Sequence, residues 1–528
     1  MTHHRFRSLP RPAWAAAALV IGTTGMMLLP ASSATAATMS TLYASPSGSG
    51  TACTSSAPCS LAGAQSAVES LDSAMTGNIV VELAGGTYRM SAPWTFTGSD
   101  SATNGYAIDW QAESGQTPVV GGGVALTGWT EVNSADNVWA ASLPSGVSTR
   151  DLWINGTRVP LAQDGALPSG TTQSSTGYTV PGTALQSLAD PSDLQFVFNP
   201  GNWVQDECGV ASISGNSSST TITMDEPCYE TASASGYISL GLPAYIENNA
   251  SFLTGPNQWS FDSATSTVDL IPPSGVNPND ADVEAGNLPT VLQLDGTASA
   301  PVTGVGFSGI IFQDTTWPQV NTDVGYTEIQ ADVMFPNESC ATEFSPASFV
   351  TSSGGSSHDG EVFGACNTTM PAAVEVHAGH DISLTGDTFT NMGTSGVTYD
   401  GGTQNSSITG DSFTDIGGDA VQIGSVSSPN QSNSALIDSG DTVSDNYINA
   451  AADEYQGGVG IWSGYTKSLT ITHNDIENLA YSGVSTGWGW GSEDTLPTID
   501  SGLQVTDNYV TDTNQARSDG GPLYSLGP

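Results

Sequence analysis

The feature that most constrains this chain is a repeat in its second half. A six-residue template of an aliphatic residue, Thr or Ser, any residue, Asp or Asn, any residue and a second apolar residue occurs five times. The copies begin 24 to 35 residues apart, at Leu384, Ile408, Val443, Ile471 and Val505. A second short apolar run follows each copy, at Val397, Val421, Ile461, Val484 and Leu523. Constant short strands joined by loops of variable length indicate a solenoid.

The two apolar positions of each copy are five residues apart. Because side chains alternate along a strand with period two, a straight strand cannot point both of them inward. We therefore expect a bend at the Asp or Asn, which tolerates left-handed backbone geometry. One coil cannot bury its own apolar face, so stacked coils should bury the first aliphatic residues and align the polar ones as a ladder. The ladder residues are Asp387, Asp411, Asn446, Asn474 and Asn508.

The predicted fold class is all-β: a right-handed parallel β-helix with an inserted antiparallel β module and an N-terminal capping helix. A leucine-rich repeat is the alternative solenoid, but leucine is sparse and L-x-x-L-x-L is absent. Leu61, Ala64 and Val68 fall on one helical face behind Ser60, which predicts the capping helix. Residues 124–290 alternate short β-type runs with turns and show no repeat, which predicts the inserted module.

The predicted domain organisation begins with a signal peptide at 1–36. It is followed by a cap with the first coils at 37–123, the module at 124–290 and the β-helix at 291–528. Basic residues precede an apolar run at 13–29, and Ala34-Thr35-Ala36 follows it. This order favours a cleaved export signal over a membrane anchor. No later run reaches the roughly 20 apolar residues of a span, so we expect a secreted, extracellular protein without a membrane span.

Charge and cysteine content narrow the partners. The chain has 8 Lys and Arg against 52 Asp and Glu, a net charge of −44. Nucleic acid would be repelled, because phosphate binding needs basic patches. We predict no cofactor and no metal site, with calcium as the alternative if an anionic glycan has to be bridged. In an oxidising compartment the six cysteines should pair locally. The predicted disulfides are Cys53–Cys59, Cys208–Cys228 and Cys340–Cys366. Zinc is the alternative, but C-x-x-C and histidine ligand spacing are absent.

Aromatic residues cluster beside the second apolar run of each coil. If Ile461 and Leu523 point inward, Trp462 and Tyr524 point outward. Together with the run at 481–491, they predict an exposed surface on which sugar rings stack. The predicted substrate contacts are Trp462, His473, Tyr481, Trp488, Trp490 and Tyr524. The alternative is that these rings pack a loop against the coil.

Two aspartates stand beside glycines. Cleavage of a glycosidic bond usually needs two carboxyl groups, one acting as an acid and one as a base or nucleophile. Asp519 precedes two glycines and Asp419 follows two, which should leave room for a ligand. We therefore predict both as catalytic, with Glu454 and Glu493 as further candidates. The alternative for each is a solvated turn residue.

The chain from 42 to 528 resembles the β-helix glycoside hydrolases of family 141, whose members include fucosidase and xylanase types. The resemblance rests on Leu152-Trp153-Ile154-Asn155-Gly156-Thr157-Arg158, on Glu247-Asn248 with Gln258-Trp259-Ser260-Phe261-Asp262, on Trp488-Gly489-Trp490 and on Asp519-Gly520-Gly521. It implies that Asp519 occupies a catalytic position and that a β module is inserted. The chain departs from the family after Asp519, where Pro522-Leu523-Tyr524 follows the glycines in place of Ile-Tyr.

These patterns predict a monomeric, secreted glycoside hydrolase that binds a plant or microbial cell-wall polysaccharide or oligosaccharide. One alternative is a calcium-dependent enzyme similar to pectate lyase, for which Lys467 and Arg517 are the basic residues in the solenoid half. Another is a non-catalytic glycan-binding solenoid. In family 141 the second catalytic carboxylate lies on a later coil. The chain stops at Pro528, so we expect a fragment that binds glycans better than it cleaves them.

Overall fold

The computed structural model describes residues 37–165, 167–188, 191–234, 239–337, 367–489 and 498–526. The predicted signal peptide, Cys340, Cys366, Trp490 and Glu493 lie outside the described residues. Within them, no helix is both long enough and apolar enough to cross a bilayer.

Three parallel sheets form the coils, and the predicted right-handed parallel β-helix is confirmed. The first sheet contains Thr38–Ala44, Asn78–Leu83, Ile108–Ala112, Val305–Ser308, Ser383–Thr385, Ser407–Thr409, Thr442–Ser444, Thr470–Thr472 and Gln504–Thr506. The second contains Gly86–Arg89, Pro118–Gly121, Ile311–Thr316, Thr388–Gly393, Ser412–Ile416, Tyr447–Ala451, Asp475–Glu477 and Tyr509–Val510. The third contains Trp94–Thr97, Leu292–Asp295, Ala372–His377, Ser395–Asp400, Val421–Ile423, Ile461–Ser463, Val484–Thr486 and Leu523–Ser525. Thr38–Ala44 precedes the first complete coil, and from Asn78 onward each coil visits the three sheets in this order.

The predicted core column lies inside the first sheet. Its members are paired in direct register, in the order Leu384, Ile408, Val443, Ile471 and Val505. The first four are fully buried, whereas Val505 is partly buried, because its strand is the edge strand of the sheet. In the second sheet the rings of Phe389 and Phe413 stack with centroids 4.5 Å apart. One coil therefore covers the apolar face of the next, as the repeat requires.

The polar ladder is confirmed, with the bend one residue earlier than predicted. The N–H of Asp411 donates to Asn446 Oδ1 (2.9 Å), and the N–H of Asn446 donates to Asn474 Oδ1 (3.1 Å). The left-handed backbone belongs to the residue before each ladder position, at Gly386, Gly410, Asp445, His473 and Asp507. That residue turns the chain, and the ladder side chain then points inward to bond the neighbouring coil.

The predicted capping helix is Leu61–Glu69, and the Ser60 side chain accepts the N–H of Gly63. Leu61, Ala64 and Val68 are buried against the core of the coils. A second helix spans Cys228–Ala234. Short 3-10 turns occupy Asp72–Ala74, Gly98–Asp100, Pro191–Asp193, Ala250–Phe252, Pro318–Asn321 and Ser434–Leu436.

Antiparallel sheets occupy the region of the predicted module. One contains Thr157–Val159, Leu152–Ile154, Val283–Gly286 and Gly123–Ala125. A second contains Gln258–Asp262, Thr267–Ile271, Val138–Ser142 and Thr130–Asn133. The largest contains Gln163–Asp164, Tyr245–Glu247, Gln195–Phe198, Asp206–Gly215, Ser219–Met224, Gly177–Pro181 and Thr172–Ser174.

The chain leaves the coils a second time, which the sequence did not predict. Strand Tyr326–Gln330 pairs with Asp206–Gly215 of the largest antiparallel sheet, and Val333–Met334 and Thr368–Thr369 extend it. A separate parallel pair joins Val302–Thr303 to Gly379–His380. The boundaries at 124 and 290 remain a prediction, but antiparallel structure continues beyond them. We use "module" below for these antiparallel strands and their loops.

Two of the predicted disulfides are confirmed. Cys53 is bonded to Cys59, and Cys208 is bonded to Cys228. Cys208 lies on a module strand and Cys228 begins the second helix.

Removing the Cys208–Cys228 bond by double substitution to serine should destabilise the module selectively. A disulfide that closes a loop of this length lowers the entropy of the unfolded chain, which stabilises the folded state by about 3 kcal/mol. Hydrogen exchange should quicken in Gln195–Phe198 and Asp206–Gly215, whereas the coil strands keep their protection. Equal loss of protection in the coils would contradict the local effect. The double serine variant of Cys53 and Cys59 is the control for loss of a disulfide elsewhere.

Candidate functional site

One edge of the solenoid is formed by the connections from the second sheet to the third. These connections carry Asp419, Glu454, Tyr481 and Asp519 on four successive coils. The third-sheet strands that follow them are paired in register. The four residues therefore follow one edge of the stack, which the module contacts.

Asp519 is an exposed carboxylate on this edge, as are Asp453 and Asp512. Its backbone is left-handed, with φ of 68°, and its carbonyl accepts a hydrogen bond from the Tyr481 hydroxyl (2.9 Å). The sequence suggested that the neighbouring Gly520 leaves room for a ligand. In the structure, the coil below fills that space. A β-carbon there would lie 2.3 Å from Ser482 Oγ and 2.5 Å from the Tyr481 ring. Gly520 is required because the turn packs closely on the coil below.

The module supplies contacts to this turn that sequence reasoning missed. The N–H of Ser518 donates to the carbonyl of Asn202 (2.7 Å). Arg517 Nη2 donates to Asn199 Oδ1 (2.7 Å) and Gln205 Oε1 (2.8 Å) of the module and to Gln456 Oε1 (3.2 Å) of a coil. The available signal was the scarcity of cations: after residue 36 the sequence holds five Lys and Arg, and Arg517 is two residues from Asp519.

The Tyr481 hydroxyl connects the same turn to the second antiparallel excursion. It accepts a hydrogen bond from Gln330 Nε2 (2.6 Å) while it donates to Asp519. Burial, aided by the charges nearby, raises the pKa of Tyr481 well above its usual value. The hydroxyl therefore keeps its proton and acts as a donor to the Asp519 backbone.

Asp419 is not an exposed partner for Asp519. It is fully buried, with Oδ1 accepting the N–H of Val459 (2.5 Å) and Oδ2 accepting Gln422 Nε2 (3.1 Å). Burial raises its pKa well above the usual range, and nearby Asp332 adds to the effect. The catalytic role of Asp419 stays a prediction, and the structure places both of its carboxyl oxygens in hydrogen bonds inside the protein.

Asp419 belongs to a buried acidic cluster, which comprises Asp206, Glu328, Asp332 and Asp419. Three of the four lie on module strands or loops, so the cluster joins the module to the coils. Asp332 Oδ2 has no hydrogen-bond partner within the described part of the chain. It faces Gly418 and Gly458, where a β-carbon would lie 2.6 and 2.5 Å from this oxygen. The two glycines make the slot into which Asp332 fits.

A second polar cluster anchors the module by charge. Buried Arg150 bonds Glu207 (2.7 Å) and Glu247 (3.2 Å) of the module and Glu454 (3.2 Å) of a coil. Arg158 also reaches Glu454 (3.3 Å), together with Asp415 (2.6 Å). Glu454, a further catalytic candidate from the sequence, is therefore held between two arginines. Burial raises its pKa well above the usual range, although both arginines oppose this.

The predicted exposed aromatic surface is wrong for the residues that define it. Trp462, Tyr481 and Trp488 are buried, and they pack with Ile329 and Phe335 in one apolar cluster. They do point out of the coils, but the second antiparallel excursion covers them. The packing alternative therefore holds for these three rings.

Two half-buried rings border the same apolar cluster. Tyr524 packs against it with its ring 6.4 Å from that of Tyr481. Trp203, from the module, packs against it too and donates Nε1–H to the carbonyl of Ile329 (3.1 Å). The sequence did not single out Trp203, because its neighbours in space are far away along the chain.

His473 lies away from this edge. It occupies the exposed left-handed corner between the first and second sheets, with Nδ1 3.1 Å from Thr472 Oγ1. Exposed Lys467 lies on the connection from the third sheet to the first, so it too is on another edge. The structure therefore brings neither residue to Asp519.

Across the described ranges, no group of three or more His, Cys, Asp or Glu side chains is arranged to hold a metal ion.

Comparison with known proteins supports the fold. No protein-family model and no curated protein matches the sequence. A solved structure described as "Glycoside hydrolase" is 21% identical, with a TM-score of 0.74 over 92% of this chain and 86% of its own. One described as "The complex structure of XylC with xylose" is 12% identical, with a TM-score of 0.49 over 92% and 65%. "Crystal structure of pectate lyase Pel9A" is 10% identical, with a TM-score of 0.31 over 92% and 82%. The first likeness shows that this chain shares the fold of that protein.

Proposed function

We propose that this protein is a secreted glycoside hydrolase of cell-wall polysaccharides and that Asp519 is one of its catalytic carboxyl groups. The observation that carries the proposal is the setting of Asp519: an exposed carboxylate on a turn whose backbone is held by Tyr481 and by the module. The shared fold with a protein described as a glycoside hydrolase supports it. Two disulfides are compatible with the proposed location outside the cell. Membership in family 141 is part of the proposal.

The proposed chemistry needs Asp519 at the reacting bond. Glycoside hydrolysis pairs two carboxyl groups roughly 5–10 Å apart, one giving a proton to the leaving oxygen and the other acting as base or nucleophile. Asp419 is buried and Glu454 is paired with two arginines, so neither suits the second role. Half-buried Trp203 and Tyr524 lie near the turn, and we propose that they contact the sugar rings.

Asp519→Asn should lower kcat/KM by roughly 100- to 10,000-fold, the usual contribution of a group that transfers a proton. Reducing ends released from xylan, arabinan, galactan, xyloglucan and polygalacturonate would identify the substrate first. Asp512→Asn is the matched control, because Asp512 is also exposed and left-handed on the same connection. An Asp519→Asn protein with wild-type activity would refute the catalytic assignment.

The same assay separates the alternative functions. A lyase would release unsaturated products that absorb in the ultraviolet, whereas a hydrolase would not. Arg517 is 6% exposed with Nη2 bonded to three amide oxygens, a poor setting for a lyase base. A binding protein would retain a polymer on a column without releasing either product.

A further inference from the structure

We infer that Arg517 is a positioning residue through which the module sets the orientation of Asp519, and this inference rests on the proposed catalytic role of Asp519. Arg517 does not itself face the proposed substrate, because its side chain is buried beneath the turn. It acts on Asp519 through the backbone, since it lies two peptide bonds earlier in the same turn.

The partners of Arg517 are unusual for a buried cation. Nη2 donates to three neutral amide oxygens, of Asn199, Gln205 and Gln456. Among the described residues, no carboxylate forms an ion pair with it, and its Nε has no hydrogen-bond partner. Amide oxygens fix the direction of a guanidinium without cancelling its charge. The three amide oxygens therefore fix the position of the Arg517 guanidinium and do not form a strong ion pair with it.

Hydrogen bonds of Gln205 link the position of Arg517 to the position of the module. Its Oε1 accepts Arg517, its Nε2 donates to Glu207 Oε1 (2.6 Å) and to the Glu454 carbonyl (2.9 Å), and its N–H donates to Glu328 Oε2 (2.8 Å). Gln205 thus connects Arg517 to both polar clusters that join the module to the coils. A displacement of the module would be transmitted to Arg517.

The turn is held on both sides of Arg517. The Arg517 N–H donates to the Ala480 carbonyl (2.9 Å) of the coil below, and the Ser518 N–H donates to Asn202 (2.7 Å) of the module. The Asp519 carbonyl accepts Tyr481, and the Gly521 N–H donates to Ser482 Oγ (3.2 Å). Four successive contacts therefore leave the Asp519 side chain as the free group of a fixed turn. Rigid support of this kind is what a reacting carboxyl group requires.

Asn199→Ala is the variant that tests the inference without exposing the core, because Asn199 is itself exposed. We expect kcat to fall about 10- to 100-fold with little change in KM, since a small displacement of a catalytic group is costly. The substrate is the polymer of the panel above that wild-type protein hydrolyses fastest. Asn199→Asp keeps an oxygen acceptor for Arg517 and should restore kcat.

Hydrogen exchange provides a readout that needs no substrate. In Asn199→Ala and in Arg517→Lys, peptides covering 517–521 should exchange faster, whereas strand Val484–Thr486 should not change. Asn133→Ala is the control. Asn133 is also an exposed residue of the module whose side chain accepts hydrogen bonds, but its donors are the N–H groups of Ala135 and Asp136.

The outcomes separate this inference from the proposed function. If Asp519→Asn is inactive but Asn199→Ala and Arg517→Lys keep wild-type kcat and exchange rates, the positioning role is wrong and the function stands. If Asp519→Asn is fully active, or if the panel shows no hydrolysis, the proposed function fails and this inference with it. Loss of thermal stability with unchanged kcat in the folded protein would mark Arg517 as purely structural, which also overturns the inference.

Discussion

Arg150→Met should lower the free energy of unfolding by about 3–5 kcal/mol, the usual cost of breaking a buried ion pair from one side. Arg150 has 1% of its side chain exposed and bonds three glutamates. Its removal leaves Glu207 and Glu247 buried beside an uncharged methionine, whereas Glu454 keeps its ion pair with Arg158. Because Glu454 belongs to a coil and the others to the module, we expect the module to detach before the coils unfold.

Urea titration followed by tryptophan fluorescence would measure the effect. Arg89→Met is the matched control, since Arg89 pairs with Glu284 but is 45% exposed. Because water reaches Arg89, its loss should cost less than the loss of Arg150, although Glu284 is itself buried. Equal losses in the two variants would contradict the proposed anchoring role of Arg150.

The stack of coils could be predicted from sequence because its determinants repeat. Each coil places an aliphatic residue and a polar ladder residue at fixed offsets, so five weak local patterns support one another. The structure confirms the resulting register from Leu384 to Val505. We predicted the left-handed residue one position too late in each coil, because Asp and Asn are common both at bends and in ladders.

The position of the module could not be predicted in this way. Arg150 and Glu454 are 304 residues apart in sequence, and neither belongs to a repeat. The alternation of side chains correctly predicted that Trp462 points out of the coil. For the same reason as above, it could not predict which strands cover Trp462. Strand Tyr326–Gln330 and its neighbours, which bury that ring, lie where the sequence predicted only coils.

The candidate site was predicted in part. The glycines beside Asp519 singled out the turn on which the proposed site depends, although Gly520 serves close packing and not ligand access. Asp419 was chosen by the same rule, but the structure buries it. A pair of glycines indicates close packing of the backbone and does not show whether the neighbouring side chain is exposed to solvent. The contact between Ser518 and Asn202 depends on the folded module, which lies outside the repeat.

The buried acidic cluster should make the protein less stable at alkaline pH than at mildly acidic pH. Burial raises the pKa of Asp206 to about 7 and that of Asp332 to about 7. Burial also raises the pKa of Glu328 and of Asp419 well above the usual range, and each is further affected by Asp332. Tyr326 donates its hydroxyl to Asp332 Oδ1 (2.8 Å), and the more distant Arg517 opposes the rise at Asp206 and Glu328.

The direction follows from proton binding. In the unfolded chain these carboxyl groups lose their protons near pH 4, whereas the folded protein retains them up to about pH 7. Stability from the protonated cluster is therefore fully present below pH 4 and is lost as pH rises through 7. A pKa raised by one unit corresponds to about 1.4 kcal/mol. We expect the free energy of unfolding, measured with urea, to be several kcal/mol lower at pH 8 than at pH 5.

Asp332→Asn tests whether this cluster is responsible. Asparagine has the shape of the protonated aspartic acid, tolerates the left-handed backbone at this position and carries no charge at pH 8. The variant should match wild type at pH 5 and exceed it in stability at pH 8, so its dependence on pH becomes shallower. Asp445→Asn makes the same chemical change at an exposed left-handed corner and should leave the slope unaltered. If both variants flatten the curve equally, the dependence comes from the general repulsion of a chain with a net charge of −44, and not from the carboxyl groups between module and coils.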